Sequence, residues 1–446
     1  MTQGPMLPLT RYTLALLAAL ATLPLAGPLL DLHAGDPQPV LGRINNLAAA
    51  WAIAFFLGLP AAFRHLDTSP ERRLFGLICA LLLYGLVYSA FVTENMVSAL
   101  GGLGILIGGV SAGYLCYAAA RNGADMTRAI AMCVVSIAVF LPIPPILISL
   151  APDAFGDFTQ NVHGYGNIRA YGFFCTGVIT ALAFFLQSAS LPLRKHALIA
   201  AALLICWTCF FWSGTRAGLL AIGIGLPVAA LFLKKRSVRG WLTVAITAAA
   251  GALASLAIHT PNTNFGLVNR IEKSASVFTP VDGATSIDAA NAATSGRLEM
   301  WSGAWSAILE KPLTGYGFFA QQWATPDHIR EVHTHNIFLE YWLSLGFIIG
   351  SLPLIIGAAL LLKAMIRARS SQRTSQSATA GLCVVLAIYA NGSGILFLPF
   401  HLYIFCAGLG AILGFHSAAA GGPPHPSANP SKDPSAHIFI KESVPE

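Results

Sequence analysis

Residues 333–346 read His333-Thr-His-Asn-Ile-Phe-Leu-Glu-Tyr-Trp-Leu-Ser-Leu-Gly346, placing two imidazoles, an amide and a carboxylate at the mouth of a long apolar stretch. Polar groups at the edge of hydrocarbon are costly, and their presence there points to chemistry or transport. An imidazole with an unperturbed pKa of about 6.5 suits proton abstraction at neutral pH, which makes His335 the candidate general base. On an uninterrupted helix His335, Leu339, Trp342 and Gly346 share one stripe, and Gly346 would let a second helix or a lipid come close to it. Asn336 and Glu340, four positions apart, lie on an adjacent face where they could orient the base or a sugar. The plainer alternative for a single histidine at a helix start is a cap or an interface residue.

The second set of candidates is cationic. Arg169 opens one apolar run, Arg216 sits between two such runs, and Arg297 begins an amphipathic segment. Guanidinium groups grip phosphate oxygens with two parallel hydrogen bonds. The alternative for each is an arginine snorkelling to the membrane interface. Around Arg216, the neighbours Ser213, Gly214, Thr215 and Gly218 allow close backbone approach. Arg270, Lys273 and Arg330 read as solvated surface cations. His328, His333 and His335 with Asp327 or Glu331 have the composition of a metal site, but no H-E-x-x-H spacing, so no metal is expected. The chain has no P-loop, dinucleotide fingerprint or Asp-x-Asp pair, so neither a cofactor nor a nucleotide donor is expected.

These residues must be positioned by membrane helices. Of 446 residues, 55% are hydrophobic and 10% charged, with a mean hydropathy of +0.67. Soluble proteins carry about 25% charged residues. A formal charge of +7 is low for a nucleic-acid binder of this size and suits the positive-inside rule and anionic lipid or substrate. The eight cysteines all fall in apolar runs and read as core residues, Cys206 and Cys209 included.

Spanning a bilayer takes about 20 apolar residues. Such runs occur at about 12–30, 44–63, 74–92, 96–120, 129–151, 170–190, 196–215, 217–233, 241–260, 337–362, 378–396 and 397–417. Every second link is short and basic, for example Arg64 to Arg73, Arg121 to Arg128, Lys234 to Arg239 and Lys363 to Arg373. By the positive-inside rule these face the cytoplasm, giving about twelve spans with both termini inside and an uncleaved first helix. The expected organisation is helices over 1–260, a large periplasmic loop over 261–334, further helices over 335–417 and a disordered tail over 418–446. The loop is expected to hold two helices, around Asn264–Ser276 and Arg297–Glu310. In the second, Leu298, Trp301 and Trp305 form the apolar face, Thr294 or Ser295 caps the start, and Gly315-Tyr316-Gly317 makes a turn after it. Residues 279–293 read as a mobile polar stretch.

Arg216-Ala-Gly-Leu-Leu220, the His335 to Gly346 spacing, Gly296-Arg297-Leu-Glu-Met-Trp301, Pro312-Leu-Thr-Gly315-Tyr-Gly317 and Asn167-Ile-Arg169 together resemble the O-antigen ligase family. The resemblance spans roughly 165–350. It implies an inverting, metal-independent, GT-C-like glycosyltransferase of the bacterial inner membrane, working at the periplasmic face in lipopolysaccharide biosynthesis. The donor it implies is a glycan on undecaprenyl pyrophosphate, and the acceptor a sugar hydroxyl of lipid A–core. Arg216 and Arg297, helped by Arg169, would hold the pyrophosphate, and His335 would take the acceptor proton. His333, Asn336, Glu340 and Tyr316 would contact substrate. A polymerase that uses a second lipid-linked repeat as acceptor is the next reading, and transfer to protein the third. The non-enzyme alternative is a polytopic transporter or flippase. Against it, the single break at Asn391–Pro399 has no partner in the first half of the chain.

Overall fold

The computed structural model describes residues 8–21, 38–63, 69–93, 96–151, 162, 165, 168–187, 191–232, 237–275, 294, 296–326, 334–371, 373–393 and 399–420. Among these there are helices and turns and no strands. In chain order the helices are α1 (Pro8–Ala21), α2 (Gln38–Phe63), α3 (Ser69–Val92), α4 (Met96–Arg121), α5 (Met126–Ser136), α6 (Ile143–Leu150), α7 (Ile168–Phe185), α8 (Leu193–Ser213), α9 (Arg216–Leu231), α10 (Val238–Ser255), α11 (Leu267–Ala275), α12 (Arg297–Glu310), α13 (Ile337–Ser370), α14 (Thr374–Ser393) and α15 (Pro399–Ala420). Each expected apolar run overlaps a helix, but 129–151 is divided between α5 and α6, and 22–30 lie outside the described residues. Seven are long and apolar enough to cross a membrane, with α5 and α6 counted as one continuous stretch, and four shorter apolar helices accompany them. The protein is therefore a polytopic, all-helical membrane protein.

Helix α7 is the axis of the bundle. Almost all of it is buried, and it packs against α8, α9, α14 and α5. Beyond Arg169 its side chains are almost all apolar on every side, which in a helix means burial on every face. Helices α4 and α15 cross closely because glycines face each other: a Cβ on Gly410 would lie 1.9 Å from the Gly113 carbonyl, and one on Gly414 would lie 2.2 Å from that of Tyr117. Small residues four apart allow membrane helices this kind of approach.

One expectation fails at Gly346. The string from His335 onward does not form one helix. His335 precedes the helix with φ of 55°, Asn336 is the N-cap, and α13 breaks at Gly346 with φ of 74°. The two halves of α13 meet there, and the turn after α12 fills the break. Tyr316 N and Gly317 N donate to the carbonyls of Leu343 (2.8 Å) and Ser344 (2.9 Å), and Phe347 N donates to Pro312 O (2.7 Å). A Cβ on Gly346 would sit 2.4 Å from the Leu313 carbonyl, so glycine is required by space as well as by φ. The close approach expected at Gly346 is thus made by this protein's own backbone, not by a second helix or a lipid.

A second expectation also fails. Helix α12 buries Met300, Ala304, Ala307 and Ile308, not a Leu298–Trp301–Trp305 face. Trp305 remains 43% exposed, with its ring near Trp342 and Phe347. The α12 N-cap is Gly296, and Thr294 Oγ1 accepts from Leu298 N at 3.4 Å. Stretch 279–293 and tail residues 421–446 lie outside the described residues.

Candidate active site

Three helix starts bring an arginine to this site. Arg169 is the second residue of α7, while Arg216 and Arg297 are the first residues of α9 and α12. Local structure brings two of these ends together. Gly214, with φ of 64°, ends α8, and Thr215 starts α9. Thr215 Oγ1 donates to the carbonyl of Ile168 at 3.3 Å, and its side chain fills the space where a Cβ on Gly172 would stand. The Ser213–Arg216 hairpin is therefore seated on the start of α7, beside Arg169. Tyr389 of α14 secures the same helix end, its hydroxyl donating to Arg169 O at 3.0 Å. Gly392, at the end of α14, leaves room for Arg297: a Cβ there would lie 4.0 Å from Arg297 Nη1 and 3.3 Å from Ala217.

A fourth arginine joins them. Arg270 reads from sequence as a solvated cation, but it is half-buried against the hairpin. Gly266 N donates to Trp212 O at 2.7 Å and docks the start of α11 there, and the Arg270 side chain packs over Gly214. Its pKa is lowered by burial and then by Arg216 and Arg169. Arg297 is brought down to about 10 by burial first, then by Arg169 and Arg216, with Tyr389 opposing. Burial and like charge act in the same direction on both groups. Arg297 Nε is buried with no hydrogen-bond partner among the described residues. The positive ends of three helix dipoles add to this field, since a helix N-terminus carries about half a positive charge. Such a place favours an anion.

His335 stands at the edge of the cluster. It is buried, and Arg169 Nη1 donates to its Nε2 at 2.8 Å. A guanidinium can only donate, so Nε2 accepts and the imidazole is neutral with its proton on Nδ1. The backbone ahead of His335 is clamped on both sides. Thr334 N donates to Glu340 Oε2 (2.8 Å), and Trp301 Nε1 donates to Thr334 O (2.9 Å). The left-handed φ of His335 is an uncommon conformation for a non-glycine residue, of the kind held by surrounding structure at functional sites. Glu340 is fully buried, and its Oε1 has no partner among the described residues.

The remaining expected site residues separate. Asn336 Oδ1 accepts from Phe338 N (2.9 Å) and Leu339 N (3.2 Å), so this oxygen caps α13. Tyr316 belongs to the turn at the Gly346 break. Its hydroxyl donates to Glu310 Oε2 (2.9 Å), and Lys311 Nζ lies 4.2 Å from the ring centre. His333, and with it His328, Arg330, Asp327 and Glu331, lies outside the described residues, as do the side chains of Asn167 and Lys273. Among the described residues no group of three metal-binding side chains occurs. Sequence reasoning missed Arg270, Tyr389, Trp301 and Thr334. Only Gly266, next to the start of α11, hints at the docking that recruits the first of these.

Residues 201–354 match the family model described as O-antigen ligase. That match, over about a third of the chain, supports the O-antigen ligase family for this protein. The matched stretch carries Arg216, Arg270, Arg297 and His335, while Arg169 reaches the same cluster from outside it. The matched domain supports a membrane glycosyltransferase of the O-antigen ligase and polymerase family, which implies lipid-linked glycan substrates. No curated protein matches the chain.

Proposed function

We propose that this protein moves a glycan from undecaprenyl pyrophosphate to a sugar hydroxyl of lipid A–core, at the periplasmic face of the bacterial inner membrane and with both termini in the cytoplasm. The observation that carries this reading is the contact of Arg169 with His335 inside a cluster of half-buried arginines. In it, Arg216, Arg297 and Arg270 hold the diphosphate and stabilise the charge that grows on the leaving oxygen. His335 Nε2 takes the proton of the acceptor hydroxyl as its oxygen attacks the anomeric carbon. The bond from that carbon to the diphosphate oxygen breaks, and undecaprenyl pyrophosphate departs with the electron pair. Attack opposite the leaving group inverts the anomeric centre, and no metal is required.

The Arg169 contact adds an order to these events. Nε2 is the lone pair a base needs, and Arg169 occupies it. The guanidinium must turn away before His335 can accept a proton. A diphosphate among the other arginines offers Arg169 negatively charged oxygens, so an ion pair with a bidentate fork replaces a single bond to a neutral imidazole. Donor binding therefore frees the base, and an acceptor arriving first meets a blocked histidine.

Reconstitution in vesicles tests the assignment. Wild-type protein is given lipid-linked glycan with either lipid A–core or a second lipid-linked repeat. Transfer to lipid A–core is the expected product. Chain growth on the second repeat would make the protein a polymerase, and no transfer to either would reject the reading.

A further inference from the structure

At the other end of the bundle lies a cavity of ≈ 180 Å³ between α3, α4, α13 and α15. Its walls include Leu74, Ile78, Val110, Leu360 and Leu409, and Gly113 and Gly410 line it where α4 and α15 cross closely. Lys363 and Arg367 stand at its rim. The cavity is far from the arginine cluster, since Lys363 follows the Gly346 break by more than four helical turns.

The charges at this rim are not balanced internally. Glu71 is the acid that lines the cavity, and its carboxylate is already held by Arg121 Nη1 at 2.8 Å and by the Tyr117 hydroxyl. Arg367 Nη1 donates to Leu413 O at 2.6 Å, and the carboxylate beside it is that same Glu71, already shared with Arg121. Lys363 is exposed and has no hydrogen-bond or ion-pair partner among the described residues. A chamber with apolar walls and two cations at its mouth is complementary to a molecule with an anionic head and a hydrocarbon tail. The volume is comparable to an engineered cavity of about 150 Å³ that admits benzene, so several methylenes fit.

We propose that this cavity is a binding site for an anionic glycerophospholipid, with its phosphate at Lys363 and Arg367 and an acyl chain along Ile78 and Leu409. Basic pockets between membrane helices recognise lipid headgroups in this way. The site is independent of the glycan-transfer reading.

The test uses the full-length protein in detergent, with bound lipid counted by native mass spectrometry after titration with phosphatidylglycerol or phosphatidylcholine. Wild-type protein should retain phosphatidylglycerol several-fold better. Lys363→Ala should cut that preference roughly fivefold, the effect of about one surface cation. Ile78→Trp, which fills the chamber while keeping both cations, should abolish it. Equal retention of the two lipids by wild-type protein, or a preference surviving both substitutions, would overturn the proposal. So would competition by inorganic phosphate as effective as that by the lipid. The wild-type comparison decides the matter even if a variant folds poorly.

Discussion

Arg121 and Arg297 are both half-buried at a helix end, yet their surroundings differ in every respect that matters for charge. Arg121 closes α4, where the helix dipole favours a cation, and its Nη1 lies 2.8 Å from Glu71. Arg297 opens α12, where the dipole opposes a cation, and its charged neighbours are Arg169 and Arg216. Its Nε has no partner among the described residues. The first arginine is answered by this chain's own carboxylate. Among the described residues no carboxylate answers the second, and a bound anion would relieve burial, dipole and like charge together. A protein that holds cations in such a place gives up stability when empty and recovers it on binding a ligand.

The sharpest break of this comparison comes at His335. His335→Ala should lower transfer by about 10²–10⁴-fold, the usual contribution of a general base. Donor binding should be retained, and wild-type transfer would remove the base. Next in size, Arg216→Lys should lose nearly as much as Arg216→Ala, about 10²–10³-fold, because an ammonium lacks the planar fork. A fully active lysine variant would reduce the cluster to simple positive charge. Gly346→Ala should cost about 1–3 kcal/mol of stability, measured by denaturant unfolding, since alanine at φ of 74° is strained and its Cβ meets the Leu313 carbonyl.

Inorganic pyrophosphate should raise Tm by a few degrees in the wild-type protein and not in Arg297→Ala. The pH dependence of that gain has a definite sign. The folded pKa of Arg297, about 10, lies below its unfolded value, so in the empty protein its charge opposes folding at neutral pH. That cost fades as the pH rises past 10 and the group discharges. The benefit of pyrophosphate should fade over the same range. The smallest effect belongs to the paired arginine. Arg121→Ala should cost about 1 kcal/mol in stability and leave the transfer rate unchanged. A large loss of activity there would erase the contrast between the two ends.

Much of this architecture is legible in the sequence because membrane helices need long apolar runs and the runs are hard to mistake. The loop helix Arg297–Glu310 is legible too, from its periodicity and the Lys311-Pro312 that follows it. The chemistry-bearing residue types at Arg169, Arg216, Arg297 and His335 stand out because they are polar groups at the ends of apolar segments. Their neighbours are harder to read. Periodicity makes one helix of the His335 string, because a hydrophobic pattern carries no information about the positive φ that turns the chain at Gly346. The same periodicity treats Trp301 as an apolar anchor, whereas its indole N–H holds Thr334 O. Arg270 looks like any surface cation until Gly266 docks on Trp212, a contact between segments that no local signal predicts.

The central claim is that a diphosphate belongs among these arginines and frees His335 by taking Arg169 from it. An experimental structure with undecaprenyl pyrophosphate bound tests it most directly. The account predicts phosphate oxygens within hydrogen-bond distance of Arg216 and Arg297, with Arg169 turned off Nε2 of His335. A diphosphate bound elsewhere, with the 2.8 Å contact between Arg169 and His335 intact, would contradict it.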